Sequence, residues 1–141
     1  MTNLATQIRR LGAPAAKTFI ETGDGRRITY ADLWATTARI ANHLVALGLK
    51  PGDRVAVQVE KSPEALMLYL ATIRAGGVFL PLNTAYTLAE LEYFIGDAEP
   101  AIVVCRPADA DAMTALASRL GAARVETLGT KGDGSIMAGA A

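Results

Sequence analysis

Few side chains in this sequence are of types that do chemistry, and their spacing limits what they could do. Cys105 is the one cysteine and His43 the one histidine. Cys105 closes the apolar run 101–105. If that run is a parallel strand, the thiol sits at its carboxyl end, where open α/β sheets place their ligands. A thiolate nucleophile there needs a base or a helix N-terminus, and a helix opened by Pro107 could supply the dipole. Free cysteines are among the most buried residues, and the buried reading is preferred. His43 has no acidic or hydroxyl partner at helical spacing to orient it, so it is expected as a surface or boundary histidine. Gly129-Thr130-Lys131-Gly132-Asp133-Gly134-Ser135 has the composition of a phosphate loop. Its lysine precedes the last glycine, which breaks the required spacing, so a surface loop is expected. Gly23-Asp24-Gly25 is too short for a dinucleotide fingerprint. The acids Asp53, Glu60, Glu64, Glu90, Glu92, Asp97 and Glu99 are scattered. Glu60-Lys61-Ser62 lies between a strand and a helix. It could seat an anion at the helix N-terminus with Lys61 adding charge, or be a capped, solvated loop; the second is favoured. No catalytic, cofactor-binding or metal residue is assigned.

The elements that would position these residues are legible. Leu4, Ile8 and Leu11 predict a short helix ended by Gly12 and Pro14. Residues 18–21 and 27–29 predict a hairpin around Thr22-Gly23-Asp24-Gly25. Leu33, Thr37, Ile40, Leu44 and Leu47 share one face of a helix over 30–47. Thr29 and Asp32 would cap it, and Gly48 would end it. A strand follows over 54–59. Ser62-Pro63-Glu64 then caps and opens a helix apolar on nearly every side, expected to lie buried between layers and to stop at Gly76-Gly77. Further strands are expected at 78–82, 101–105 and 124–128. Between them come a helix opened by the capping box Thr87–Glu90 and another opened by Pro107. Strands alternating with helices predict an α/β fold, a mostly parallel sheet flanked by helices and preceded by the hairpin. Ser135 begins one more helix with no closing signal, so 129–141 is expected to be a loop and a helix start, cut within a larger protein.

Composition narrows the class. The 141 residues are 51% hydrophobic and 20% charged, which excludes disorder as the main state. Fourteen basic residues balance fourteen acidic ones, so there is no charge excess to neutralise a nucleic-acid backbone. One cysteine excludes an internal disulfide. No apolar run approaches the roughly 20 residues of a spanning helix. The expectation is a soluble cytoplasmic protein without nucleic-acid or membrane partners.

Three stretches carry a resemblance. Arg27-Ile28-Thr29-Tyr30-Ala31-Asp32-Leu33, Gly48-Leu49-Lys50-Pro51-Gly52-Asp53-Arg54-Val55-Ala56-Val57 and Ile73-Arg74-Ala75-Gly76-Gly77-Val78-Phe79-Leu80-Pro81-Leu82-Asn83 resemble, in order and spacing, the opening signatures of adenylate-forming enzymes. Residues 80–100 resemble the bacterial malonyl-CoA synthetase branch. The resemblance implies that residues 1–141 are the N-terminal part of the large adenylation domain. The parent would use ATP, Mg²⁺ and coenzyme A to convert a carboxylate, malonate by this resemblance, into an acyl-CoA. The family's phosphate loop, metal-binding acids and mobile-domain lysine match no position here. The fragment is therefore expected to be inactive, to bind no cofactor, to need the remainder of the enzyme as partner, and to self-associate through exposed apolar surface. Asn83, at a strand end, is the one matched residue near a possible cleft, and a structural role is expected for it. Two alternatives stand beside this reading: a free-standing flavodoxin-like nucleotide-binding module, and the start of a peptide-synthetase adenylation domain.

Overall fold

The computed structural model describes residues 2–121 and 124–141. Asn3 caps the first helix, α1 (Leu4–Arg10), by accepting from the Ala5 amide, and its amide nitrogen donates to the Ile73 carbonyl at 2.6 Å. Strands β1 (Thr18–Glu21) and β2 (Arg27–Thr29) pair antiparallel in the expected hairpin, with an irregularity between Thr18 and Ile20. Helix α2 (Tyr30–Ala46) begins with a full capping box: the Asp32 amide donates to Thr29 Oγ1 and the Thr29 amide to Asp32 Oδ2. Those hydrogen bonds from Thr29, the backbone one foremost, hold the Asp32 carboxyl below its ordinary range. Leu33, Thr37, Ile40 and Leu44 are buried on one side of α2, as their spacing requires.

The sheet follows: β3 (Arg54–Gln58), α3 (Pro63–Arg74), β4 (Val78–Pro81), α4 (Leu88–Ala98), β5 (Ile102–Cys105), α5 (Ala110–Arg119), β6 (Arg124–Thr127), then the short α6 (Ser135–Gly139). Its four strands run parallel in the order β4-β3-β5-β6. Alternate residues serve opposite layers. Val55, Val57, Ile102 and Val104 pack with Ile40, Leu44, Leu68 and Ile136. Ala56, Val103 and Cys105 pack with Leu91, Ile95, Met113 and Leu116. A strand buried on both faces reads as a continuous apolar run for this reason.

Three expectations are refined. Pro107 opens a single 3₁₀ turn, Pro107–Asp109, before α5 proper begins. Helix α3 is not covered all round: Met67, Leu68, Leu70 and Ala71 are buried, but Leu66 is exposed, because it lines an open cleft of about 350 Å³ between α3, α1 and the hairpin, with Ile8, Leu11 and Phe19. Strand β4 ends at Pro81 and lies at the sheet edge, where a residue without an N–H is tolerated.

Two of the signature stretches meet at the amino ends of β3 and β4. The Gly52 amide donates to the Gly76 carbonyl at 2.9 Å, and the Val78 amide to the Asp53 carbonyl at 2.8 Å. Asp53 Oδ2 accepts from the Lys50 amide. Gly76 has a φ of 84° and lies against Pro51; a Cβ on Gly77 would fall 3.1 Å from both Leu49 and Thr72.

Candidate functional site

The strand order creates a topological switch. From β3 the chain turns into α3, which packs on one layer; from its neighbour β5 it turns into α5, which packs on the other. Loops leaving adjacent strands in opposite directions open a crevice at their carboxyl ends, the usual place for a ligand in an open α/β sheet. Here that crevice has a volume of about 190 Å³ and is lined by Gln58, Tyr86, Leu91, Arg106, Asp109 and Met113, among others.

Its polar groups are largely committed to one another. Gln58 is buried, and its side-chain amide donates to the Asn83 carbonyl at 2.9 Å. Asn83 Oδ1 accepts from the Ala85 amide at 2.9 Å, so this side chain shapes the turn after β4. Arg106 Nε donates to Asp109 Oδ2 at 2.6 Å and its Nη1 to Glu60 Oε1 at 3.0 Å. These hydrogen bonds, Asp109's first, hold the guanidinium firmly protonated, and the two carboxylates take up its charge. Cys105 is fully buried beneath the crevice. Burial, then the Asp109 charge, pushes its thiol up to about 11, which is the wrong direction for a nucleophile.

The other sequence candidates lie apart in the hydrogen-bond pattern. Ser62 Oγ accepts from the Ala65 amide at 3.0 Å, capping α3. Glu64, in the first turn, occupies the positive end of the helix and pairs with Arg26 from the hairpin. An anion would meet a carboxylate there. In the 129–135 loop, the Gly129 amide donates to the Asp133 carbonyl and the Lys131 amide to Asp133 Oδ1. The Asp133 carboxylate fills the space beside Gly129, so the loop holds its own anion where a phosphate would have to sit. Ser135 Oγ accepts from the Thr127 amide and donates to Glu126. His43 is half-buried; its ring lies against Gly139 of α6, where no Cβ would fit, and its Nε2 has no hydrogen-bond partner. Among the described residues no three His, Cys, Asp or Glu side chains gather to hold a metal. Sequence reasoning missed Gln58, Tyr86 and Arg106. The rule that ligands sit at strand carboxyl ends points to the first and last, but only once β3 and β5 are known to be neighbours.

Parallel sheet, helices on both faces and antiparallel hairpin together define the N-terminal region of an adenylate-forming large domain. The chain belongs to the AMP-binding enzyme family, whose model matches residues 7–136. Among solved structures it is similar to MatB from Rhodopseudomonas palustris, in its apo and ATP-bound forms, at 57% identity and a TM-score of 0.93. That match covers 98% of this chain and 27% of MatB. A feruloyl-CoA synthase from an Amycolatopsis species is 38% identical over 94 residues, 67% of this chain and 19% of that protein. A plipastatin synthase polypeptide from Bacillus subtilis (strain 168) is 37% identical over 83 residues, 59% of this chain and 3% of that protein. The chain thus spans about a quarter or less of these relatives. No helix among the described residues is long and apolar enough to cross a membrane.

Proposed function

We propose that residues 1–141 form the N-terminal part of the large domain of a cytoplasmic acyl-CoA synthetase that activates malonate. The overall reaction consumes a carboxylate, ATP and coenzyme A and yields acyl-CoA, AMP and pyrophosphate. The observation that carries this reading is the 57% identity to MatB across nearly the whole chain, joined to the malonyl-CoA synthetase resemblance of residues 80–100. ATP, Mg²⁺ and coenzyme A belong to the parent enzyme. Neither the 129–135 loop nor the sheet crevice offers them a free anion site: Asp133 fills the space beside Gly129, and Arg106 is already neutralised by Asp109 and Glu60. What this chain supplies is a supporting lobe for machinery carried on the remainder of the enzyme. The likeness to plipastatin synthase favours a second reading, the start of a peptide-synthetase adenylation domain, which a carrier domain further along the polypeptide would establish.

ATP–pyrophosphate exchange tests the proposal. The 141-residue chain is expected to give only background exchange with malonate. The same chain, substituted for the matching segment of MatB, is expected to support malonate-dependent exchange. Robust exchange by the chain by itself, or a folded hybrid that ignores malonate, would overturn the reading. By itself the chain is also expected to self-associate at high concentration, because Leu4, Leu11 and Leu66 are exposed; sedimentation across a concentration series measures this.

A further inference from the structure

A second concave site lies on the other side of the molecule from the sheet crevice, between α1, the loop before β1, and α2. It measures about 550 Å³ and is lined by Arg9, Tyr30, Trp34 and Arg74, with Ala31, Ala35 and Ala38 of α2 as its floor. A smaller cavity of about 90 Å³ shares Arg9, Trp34 and Arg74 with it. The larger volume falls in the range of small-molecule sites.

Its electrostatics differ from those of the crevice. No acidic side chain lines either cavity. Among the described residues, the ion-paired arginines are Arg26, Arg27, Arg106, Arg119 and Arg124, and neither Arg9 nor Arg74 is one of them. Arg74 is held in place by α2: its Nη1 donates to the Trp34 carbonyl at 3.1 Å and to Thr37 Oγ1 at 3.4 Å. Both bonds leave from Nη1; among the described residues Nε and Nη2 have no acceptor. A guanidinium anchored by one nitrogen is a preorganised donor for an oxyanion, and a second one beside it makes a clamp. Beside the clamp, Trp34 and Tyr30 offer aromatic surface, and alanines leave room for a flat body to approach the helix.

We propose that this cleft binds a small aromatic molecule carrying a phosphate or carboxylate, its oxyanion between Arg9 and Arg74 and its ring against Trp34. The inference does not depend on the reaction proposed above, since none of these residues is assigned a part in it.

Trp34 is the sole tryptophan, so its fluorescence reports on this cleft without labelling. The full chain is titrated with phenyl phosphate, benzoate, inorganic phosphate and neutral benzamide. A saturable change is expected with phenyl phosphate or benzoate, and the tighter of the two identifies the oxyanion. Benzamide is expected to bind at least about tenfold more weakly, the loss that accompanies one charge-assisted hydrogen bond. Arg9→Glu, at an exposed position, and Ala35→Glu, on the exposed floor, should each weaken binding by about tenfold or more with an unchanged circular dichroism spectrum. The proposal is overturned by any of three results: no saturation with either aromatic anion, equal affinity for benzamide, or unchanged binding by folded Arg9→Glu. Inorganic phosphate binding as tightly as phenyl phosphate would remove the aromatic ring from it.

Discussion

At the scale of single residues, Cys105 and Glu64 show how burial decides chemistry. Cys105 carries a thiol pushed from 9.0 to about 11, so the folded chain holds this proton over a range where the unfolded chain has released it. Its contribution to stability is full below about pH 9 and declines as pH rises toward 11. Urea midpoints of the chain and of Cys105→Ala are therefore expected to converge across that range, and a constant gap would disprove the buried-thiol account. Glu64 is buried while its partner Arg26 remains 41% exposed. Arg26→Ala strands a carboxylate beneath the 129–135 loop and is expected to cost about 1–3 kcal/mol, discounted for the partner's exposure. Glu64→Gln keeps an uncharged group there and should cost less; the reverse ranking in denaturant melts would refute the argument. Little of the candidate site was legible in the sequence. The strand-end position of Cys105 could be read from the run 101–105, but Gln58 and Arg106 become partners in a crevice only through strand order, which no local pattern encodes. The contact of His43 with Gly139 likewise depends on where α6 docks.

At the scale of elements, the signature stretches prove to be folding devices. Gly48, Gly52 and Gly76 all take positive φ; the Gly48 turn closes α2, and the turns at Gly52 and Gly76 bind each other at the amino ends of β3 and β4. Gly76→Ala must force an L-residue into that conformation against Pro51 and is expected to lower stability by about 1–2 kcal/mol. Gly23→Ala is the control: a Cβ there meets nothing within 4 Å, so its urea midpoint should stay within about 0.5 kcal/mol of the parent. Equal effects would mean the knot of turns carries no stability. Elements of this kind are what the sequence made plain, since caps, glycine stops and apolar periodicity act over a few residues. Both capping boxes and the hairpin pairing follow from such local rules. The 3₁₀ turn after Pro107 and the left-handed Glu99, with a φ of 47° just before Pro100, did not, because each settles a compromise between neighbouring elements.

At the scale of the whole molecule, the sheet is the one layer that both cores share. Its amino ends hold the knot of two signature turns, and its carboxyl ends hold the crevice, to which the 80–100 stretch contributes Tyr86 and Leu91. The two faces have no buried member in common: Ile40 belongs to the layer of α2, α3 and α6, and Ile95 to that of α4 and α5. Each is almost completely buried. Ile40→Val and Ile95→Val are expected to cost about 0.5–1.5 kcal/mol apiece. Because the sites lie on opposite sides of the strands and share no packing partner, the double variant should equal the sum within about 0.5 kcal/mol. Yet unfolding must remain a single transition, since Val55, Val57, Ile102 and Val104 on one face alternate along the same two strands with Ala56, Val103 and Cys105 on the other, and neither layer can lose its strands without exposing its partner's. Denaturant curves followed by Trp34 fluorescence, which reports the first layer, and by far-ultraviolet circular dichroism, which reports the whole, should superimpose. Separate transitions would show that the lobe is two folding units joined at a sheet.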